Sequence, residues 1–191
     1  VWSKLQREVM LDYGEQLLRP MPNRGIYELR RAISQHLAQF RGLHADPKNI
    51  LIGAGTDFLY NLLIQLLGRE KIYAVEDPGY GKIRKIYAAG GVQAVSAHMD
   101  MSGVRPDGLK TAGVLHISPS HHFPSGLVTP VSRRMELLSW AKQGKWIIED
   151  DYDSEYRFDS HPKPAMQSLD SDGRVIYMNT FSKTLAPSIR I

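Results

Sequence analysis

The segment WIIEDDYD, residues 146–153, joins a short apolar run to a cluster of acids, and the rest of the chain repeats this pattern of apolar run and polar end. Apolar runs without a regular alternation of polar residues are typical of strands that are buried on both faces of a sheet. The predicted strands cover residues 50–52, 71–75, 92–97, 114–117, 146–148 and 175–178. Helical stretches separate these strands, so the sequence predicts an α/β fold of three layers, αβα, around a mostly parallel sheet.

The helical stretches are recognised by the spacing of their apolar residues and by the glycine that follows each of them. In residues 24–41 the apolar side chains recur in steps of three and four residues, which gives the helix one apolar face, and Gly42 follows. The predicted helices cover residues 24–41, 57–67, 80–89 and 131–143. Residues 1–23 have looser helical spacing, and we expect them to form an N-terminal arm or leading helix.

The composition excludes several classes of protein. The chain has 191 residues, a formal net charge of +4 and no cysteine, which excludes a disulfide scaffold, a Cys-ligated metal site and thiol catalysis. No apolar run reaches the roughly 20 residues of a membrane-spanning helix. The first residues do not resemble a signal peptide, so we expect a cytoplasmic protein.

The basic residues are scattered, so charge alone does not predict nucleic-acid binding. His121 and His122 lack an evident third ligand, so no metal site is expected.

Polar, aromatic or glycine-rich groups follow five of the predicted strands. In an open parallel sheet, ligands bind beyond the carboxyl ends of the strands. These groups occupy residues 53–57, 76–80, 118–126, 149–153 and 180–184. Because the five ends meet at one edge of the sheet, the sequence predicts a ligand site there.

Each of these strand ends carries side chains suited to a particular part of a ligand. Gly55 and Thr56 open a predicted helix, whose free N–H groups and dipole attract an anion. Asp150 and Asp151 follow a buried strand, where a carboxylate is costly unless it meets a cation. Tyr80 follows Pro-Gly and is placed either to cover a planar ligand or to pack as an ordinary aromatic residue.

The last strand end supplies a lysine. Lys183 comes just after a buried strand and after the small hydroxyl residues Thr180 and Ser182, so its amine can be desolvated and form a Schiff base. Arg190 lies seven residues further along and can return to the same edge to bind a phosphate. A planar ligand with an aldehyde, a cationic ring nitrogen and a phosphate satisfies all these groups, and pyridoxal 5′-phosphate has these features.

Several longer motifs carry a family resemblance. They are GAGTDFL (residues 53–59), VEDPGY (75–80), SPSHHFPSG (118–126), EDDYDSEYR (149–157) and FSKTLAPSIR (181–190). These motifs resemble the fold-type I enzymes that depend on pyridoxal phosphate, the aspartate aminotransferase superfamily. More closely, they resemble the aminotransferase-like domain of MocR/GabR-type transcription regulators in the GntR group.

The resemblance implies a role for each matching residue. Lys183 is the expected internal aldimine lysine, Tyr152 the partner of the ring hydroxyl, and Tyr80 the residue that stacks on the ring. Asp150 is expected to pair with the pyridine nitrogen, although Asp151 remains an alternative. The expected phosphate-binding residues are Ala54, Gly55, Thr56, Thr180, Ser182 and Arg190.

One motif departs from the pattern of the aminotransferases. Residues 123–126 read Phe-Pro-Ser-Gly where aminotransferases usually have Asn-Pro-Thr-Gly, so the contact of that asparagine with the ring hydroxyl is in doubt. We expect His122 to substitute for it.

The resemblance also implies a domain organisation. Residues 24–191 are expected to be the N-terminal portion of the large cofactor-binding domain, without its C-terminal part and the small domain. The expected sheet then has a gap between residues 50–52 and 175–178. An N-terminal winged helix-turn-helix that reads DNA is expected upstream, so the chain is expected to be a piece of a longer protein.

Three functions remain open at this point. The first is the cofactor-binding domain of a regulator that senses an amine, an amino acid or a B6-type effector, as a homodimer. The second is a stand-alone class I/II aminotransferase acting on an amino acid and a 2-oxo acid. The third is an interaction domain without a cofactor, against which the intact Lys183 and Asp150 argue.

Overall fold

A six-stranded sheet forms the centre of the molecule. The computed structural model describes residues 1–153, 155–156, 163–188 and 191. The strands are β1 (Tyr73–Asp77), β2 (Ala94–Asp100), β3 (Gly103–Val104), β4 (Val114–Ile117), β5 (Trp146–Asp150) and β6 (Val175–Met178). The helices are α1 (Trp2–Tyr13), α2 (Tyr27–Arg41), α3 (Thr56–Leu67), α4 (Gly81–Ala89), α5 (Val131–Ala141) and α6 (Met166–Leu169).

The sheet order is β3-β2-β1-β4-β5-β6, and only β3 runs antiparallel to its neighbour. In register, Val75 lies opposite His116, which in turn lies opposite Ile148. The carboxyl ends of β1, β4, β5 and β6 therefore lie along one edge of the sheet. This edge is where the sequence predicts the ligand site.

The two faces of the sheet carry separate apolar clusters. Ala74, Leu115 and Ile147 face a cluster that includes Leu137 and Ala141 of α5. The alternate strand positions face a second cluster on the other side, which includes residues of α3 and α4. Since side chains alternate between the faces of a strand, strands covered on both faces must be apolar at nearly every position. The predicted three-layer α/β fold with a mostly parallel sheet is confirmed.

The predicted strands agree with the structure except at the start of the chain. Residues 114–117 and 175–178 form strands with the predicted bounds, and β5 extends two residues further to Asp150. The prediction of a strand at residues 50–52 is wrong, because none of the six strands pairs with this segment. Ile52 instead donates its N–H to the carbonyl of Arg24. The short strand β3 has too few residues to give a sequence pattern.

The leading segment forms the expected helix, α1, followed by a short 3₁₀ helix at Gly14–Leu18. No residue of either helix is buried. The division of the chain at residue 24 remains a prediction. None of the described helices is long and apolar enough to cross a membrane.

A buried arginine fixes the loop that follows β4. Arg134 of α5 is fully buried and donates to the carbonyls of Pro119 (2.8 Å), Thr129 (2.9 Å) and Pro164 (2.9 Å). Its charge lies 3.8 Å from Glu149, which is also fully buried. Because these bonds satisfy the guanidinium, the loop between β4 and α5 is held against the sheet edge.

Candidate functional site

The loops that follow β1, β4 and β5 contact one another at the carboxyl edge of the sheet. His122 Nε2 lies 2.9 Å from the carbonyl oxygen of Pro78, and the N–H of Ser118 donates to Glu76 Oε2 at 3.1 Å. The hydroxyl of Tyr152 donates to the carbonyl of His121 at 3.0 Å. The structure therefore brings the predicted segments 76–80, 118–126 and 149–153 together.

Asp150, the last residue of β5, is a buried carboxylate with an unbalanced charge. Its Oδ2 accepts a hydrogen bond of 2.6 Å from the hydroxyl of Tyr60 and lies 3.5 Å from His116 Nε2. Its Oδ1 has no hydrogen-bond partner among the residues that the structure describes. Since only 6% of Asp150 is exposed, an oxygen without a hydrogen bond is costly at this position. The position suits a cationic N–H donor.

Asp151 has a different environment from its neighbour. Its Oδ2 lies 2.9 Å from Arg41 Nη2 and accepts a hydrogen bond of 2.7 Å from the hydroxyl of Tyr177. Burial raises the pKa of Asp151, and the charge of Arg41 opposes that increase. One oxygen of Asp151 also lacks a hydrogen bond from the described part of the chain, but the guanidinium of Arg41 already balances the charge. Asp151 therefore forms a structural ion pair with α2.

The start of α3 has the properties expected of an anion site. Gly55 is the N-cap, with a φ of +83° that favours glycine, and none of the described side chains caps this end of the helix. The first N–H groups of a helix have no partner within the helix. Gly55 is buried, Thr56 is half-buried and Ala54 is exposed. Tyr60, one turn further along α3, reaches Asp150, so α3 connects the predicted phosphate-binding residues to that carboxylate.

Lys183 lies in the turn that follows β6, and its side chain is exposed. Its backbone carbonyl accepts a hydrogen bond of 2.8 Å from the hydroxyl of Tyr156. Thr180 Oγ1 lies 3.1 Å from Ser182 Oγ, so the two predicted phosphate-binding hydroxyls are adjacent. Arg190 lies outside the described residues.

Aromatic residues lie around the site. Tyr80 immediately precedes α4, is 53% exposed and meets the ring of Phe123 edge to face, with the centroids 6.1 Å apart. The ring of Tyr152 stacks on His121 at 6.2 Å. Burial raises the pKa of Tyr152 to about 12, so its hydroxyl keeps its proton at neutral pH.

His122 is buried and has a protein partner at each ring nitrogen. Nδ1 lies 2.7 Å from Ser125 Oγ, and Nε2 lies 2.9 Å from the carbonyl oxygen of Pro78. Since a carbonyl only accepts, Nε2 carries the proton of this bond. Both ring nitrogens thus have protein partners in this structure, and the contact of His122 with the ring hydroxyl of a cofactor stays a prediction.

Tyr60 and His116 belong to the site but were not predicted from the sequence, and Glu76 was predicted only as a member of the segment 76–80. Tyr60 lies within the apolar run of α3, and His116 lies within the apolar strand β4. A polar side chain at a buried position needs a partner, and that requirement is the signal by which both could have been found. Glu76 immediately follows the buried residues of β1.

Glu76 makes folding stability depend on pH. Burial raises its pKa to about 8, the N–H of Ser118 lowers it and the charge of Asp150 raises it further. Between about pH 4.5 and pH 8 the unfolded chain ionises this group while the folded chain keeps it protonated, so stability is lost as the pH rises. The free energy of unfolding should fall less steeply with rising pH in Glu76→Gln, by up to about 1.4 kcal/mol for each pH unit.

Urea unfolding at a series of pH values measures this effect. Glu149, whose pKa burial raises to about 7, contributes a slope of the same sign and is unchanged in the variant. The free energy of unfolding should therefore fall less steeply with pH in Glu76→Gln than in the wild type. Some dependence on pH remains in the variant because of Glu149. Identical slopes would show that Glu76 is already ionised in the folded protein.

Comparison with known proteins places this site in a family. The model of the aminotransferase class I and II family matches residues 1–188. The archaeal alanine:glyoxylate aminotransferase has the same fold, with a TM-score of 0.89 and 26% identity, over 99% of this chain and 50% of that chain.

Two curated relatives are transcription regulators. The chain is 40% identical to the HTH-type transcriptional regulator YdeL of Bacillus subtilis, over 100% of this chain and 42% of that protein. It is 36% identical to the probable rhizopine catabolism regulatory protein MocR of Rhizobium meliloti, over 85% of this chain and 34% of that protein. The chain thus spans less than half the length of these relatives.

The resemblance inferred from the sequence motifs is confirmed by these matches. Class I and II aminotransferases use pyridoxal phosphate, so the predicted cofactor is confirmed as that of the family. The chain belongs to the aminotransferase class I and II family.

Proposed function

We propose that this chain is the aminotransferase-like domain of a transcription regulator and binds pyridoxal phosphate. The observation that carries the cofactor part of the proposal is Asp150, a buried carboxylate with one oxygen free of hydrogen bonds and no fixed cation beside it among the described residues. The regulator part rests on identity, which is 40% with a regulator and 26% with the archaeal enzyme, each over nearly the whole chain.

The residues present fit the chemical groups of this cofactor. Asp150 Oδ1 suits the N–H of a protonated pyridine, and the start of α3 suits a phosphate, with Gly55 and Thr56 supplying N–H groups and a hydroxyl. Thr180 and Ser182 add two hydroxyls, and Arg190 is proposed as the guanidinium partner of the phosphate. When bound, pyridoxal phosphate supplies an aldehyde that reacts with amines and a ring that withdraws electrons.

Other residues hold and cover the ring. Lys183 would supply the amine for the covalent bond to the cofactor, and Tyr80 would cover the ring. Tyr152, whose hydroxyl donates to the carbonyl of His121 in this structure, would donate it to the ring oxygen instead. We assign His122 a positioning role, because its bond to Pro78 fixes the turn that carries Tyr80.

As a regulator, the whole protein would sense an amine, an amino acid or a B6-type compound through this site. We propose that it acts in the cytoplasm as a homodimer and binds DNA through a winged-helix domain on the N-terminal side. An amine or amino-acid effector would compete with the amine of Lys183 for the aldehyde of the cofactor, whereas a B6-type effector would itself occupy the cofactor site.

A stand-alone aminotransferase is the second candidate. This chain is 26% identical to the aromatic-amino-acid aminotransferase 1 of Thermococcus litoralis, over 99% of this chain and 48% of that protein. This identity favours the second candidate. An enzyme, present in a substoichiometric amount, would convert many equivalents of an amino acid and a 2-oxo acid into products. A regulator would bind DNA upstream of its own or neighbouring genes.

The first experiment adds pyridoxal phosphate to the full-length natural protein and records the absorbance spectrum after dialysis. Retention of a band at the visible edge is the expected result, because the cofactor is held covalently and by Asp150. Loss of all cofactor on dialysis would contradict the proposal. DNA mobility shifts and turnover assays with amino acids then separate the regulator from the enzyme.

A further inference from the structure

Tyr60 connects the two ends of the proposed cofactor site. It is the fifth residue of α3, the helix whose start is proposed to bind the phosphate, and only 4% of it is exposed. Its hydroxyl donates to Asp150 Oδ2 at 2.6 Å. A hydrogen bond from a buried donor to a carboxylate is among the stronger ones in proteins, since one partner is charged.

The same carboxylate oxygen is surrounded by further aromatic groups. The ring of His116, 2% exposed, lies edge to face with Tyr60 at a centroid distance of 5.1 Å, and its Nε2 lies 3.5 Å from Asp150 Oδ2. The other ring nitrogen of His116 lies 2.6 Å from the hydroxyl of Tyr87. These groups are on α3, β4 and α4, so they confine Oδ2 from the side of the second apolar cluster.

The hydroxyl of Tyr60 has no role in packing. The side chains of α3 that face the sheet are otherwise apolar, among them Leu63, Ile64 and Leu67. Phenylalanine would fill the same space without burying a polar group. The hydroxyl is therefore present for its contact with Asp150.

Resting on the proposed function, we propose that Tyr60 is a positioning residue for the pyridine nitrogen of the cofactor. Its bond to Oδ2 turns the carboxylate of Asp150 so that Oδ1 faces the ring. A carboxylate oxygen aimed at the ring nitrogen would accept a hydrogen bond from its N–H and so help to keep the proton there, on which the electron-withdrawing character of the ring depends.

The test compares Tyr60→Phe with Tyr73→Phe in the full-length protein. Tyr73 is a matched control, because it is also fully buried but donates its hydroxyl to the carbonyl of Gly68, at 3.2 Å. The two measurements are the dissociation constant of pyridoxal phosphate and the NMR resonance of its isotope-labelled ring nitrogen. The resonance reports protonation of the ring, which a merely structural role would not change.

We expect Tyr60→Phe to weaken binding about tenfold and to move the resonance toward that of an unprotonated pyridine. Tyr73→Phe should change neither. A wild-type resonance and affinity in Tyr60→Phe would overturn the inference and leave the proposed function standing. If the wild type itself does not retain pyridoxal phosphate, the proposed function fails and the inference fails with it.

A second variant keeps the test decisive if Tyr60→Phe does not fold. Fluorotyrosine at position 60 retains the ring and the hydroxyl but makes the phenol a stronger donor. It should move the resonance in the opposite direction, toward the fully protonated ring. An unchanged resonance in this variant would overturn the inference.

Discussion

Replacing Lys183 by alanine is expected to abolish the retention of pyridoxal phosphate through dialysis. The amine of Lys183 is the proposed covalent attachment point, so its removal leaves only hydrogen bonds and charge to hold the cofactor. The side chain is exposed in the turn after β6, and its backbone carbonyl, which alanine retains, still accepts the bond from Tyr156. The variant should therefore fold like the wild type.

Absorbance after dialysis measures the outcome. Lys142→Ala serves as the matched control, because Lys142 is an exposed lysine whose contact is an ion pair of 3.1 Å with Asp172. Its spectrum should equal that of the wild type. A retained band in Lys183→Ala would assign the covalent bond to another lysine and contradict the role given to Lys183.

The sheet could be predicted from the sequence because its strands are covered on both faces. That burial makes residues 114–117 and 175–178 continuous apolar runs, and their bounds agree with the structure. The failure at residues 50–52 has the same origin, since an apolar run predicts burial but does not supply a hydrogen-bonded neighbour. Pairing is a property of the whole sheet and is not visible in a local pattern.

The site could be predicted only in part, for a similar reason. The strand ends that carry Asp150 and Tyr152 are local features of the sequence. The difference between Asp150 and Asp151 depends on Arg41, which α2 brings from a distant part of the chain. The contact of Tyr60 with Asp150 depends likewise on the packing of α3 against the sheet. Neither contact could be identified before the fold was known.

The two neighbouring acids provide the sharpest test of the site. We expect Asp150→Asn to weaken the binding of pyridoxal phosphate about 30-fold or more, since removing one partner of a buried charge pair costs about 2–5 kcal/mol. It should cost little folding stability, because the described residues place no fixed counter-ion beside this buried carboxylate.

Asp151→Asn should have the opposite pattern. It leaves Arg41, whose side chain is 6% exposed, without its counter-ion, which costs about 3–5 kcal/mol of folding stability. Its affinity for the cofactor should stay within a few-fold of the wild type wherever the variant is folded. Urea unfolding and cofactor titration of both variants measure the two effects separately. If Asp151→Asn loses the cofactor while Asp150→Asn retains it, the pyridine nitrogen pairs with Asp151 and the roles of the two acids are reversed.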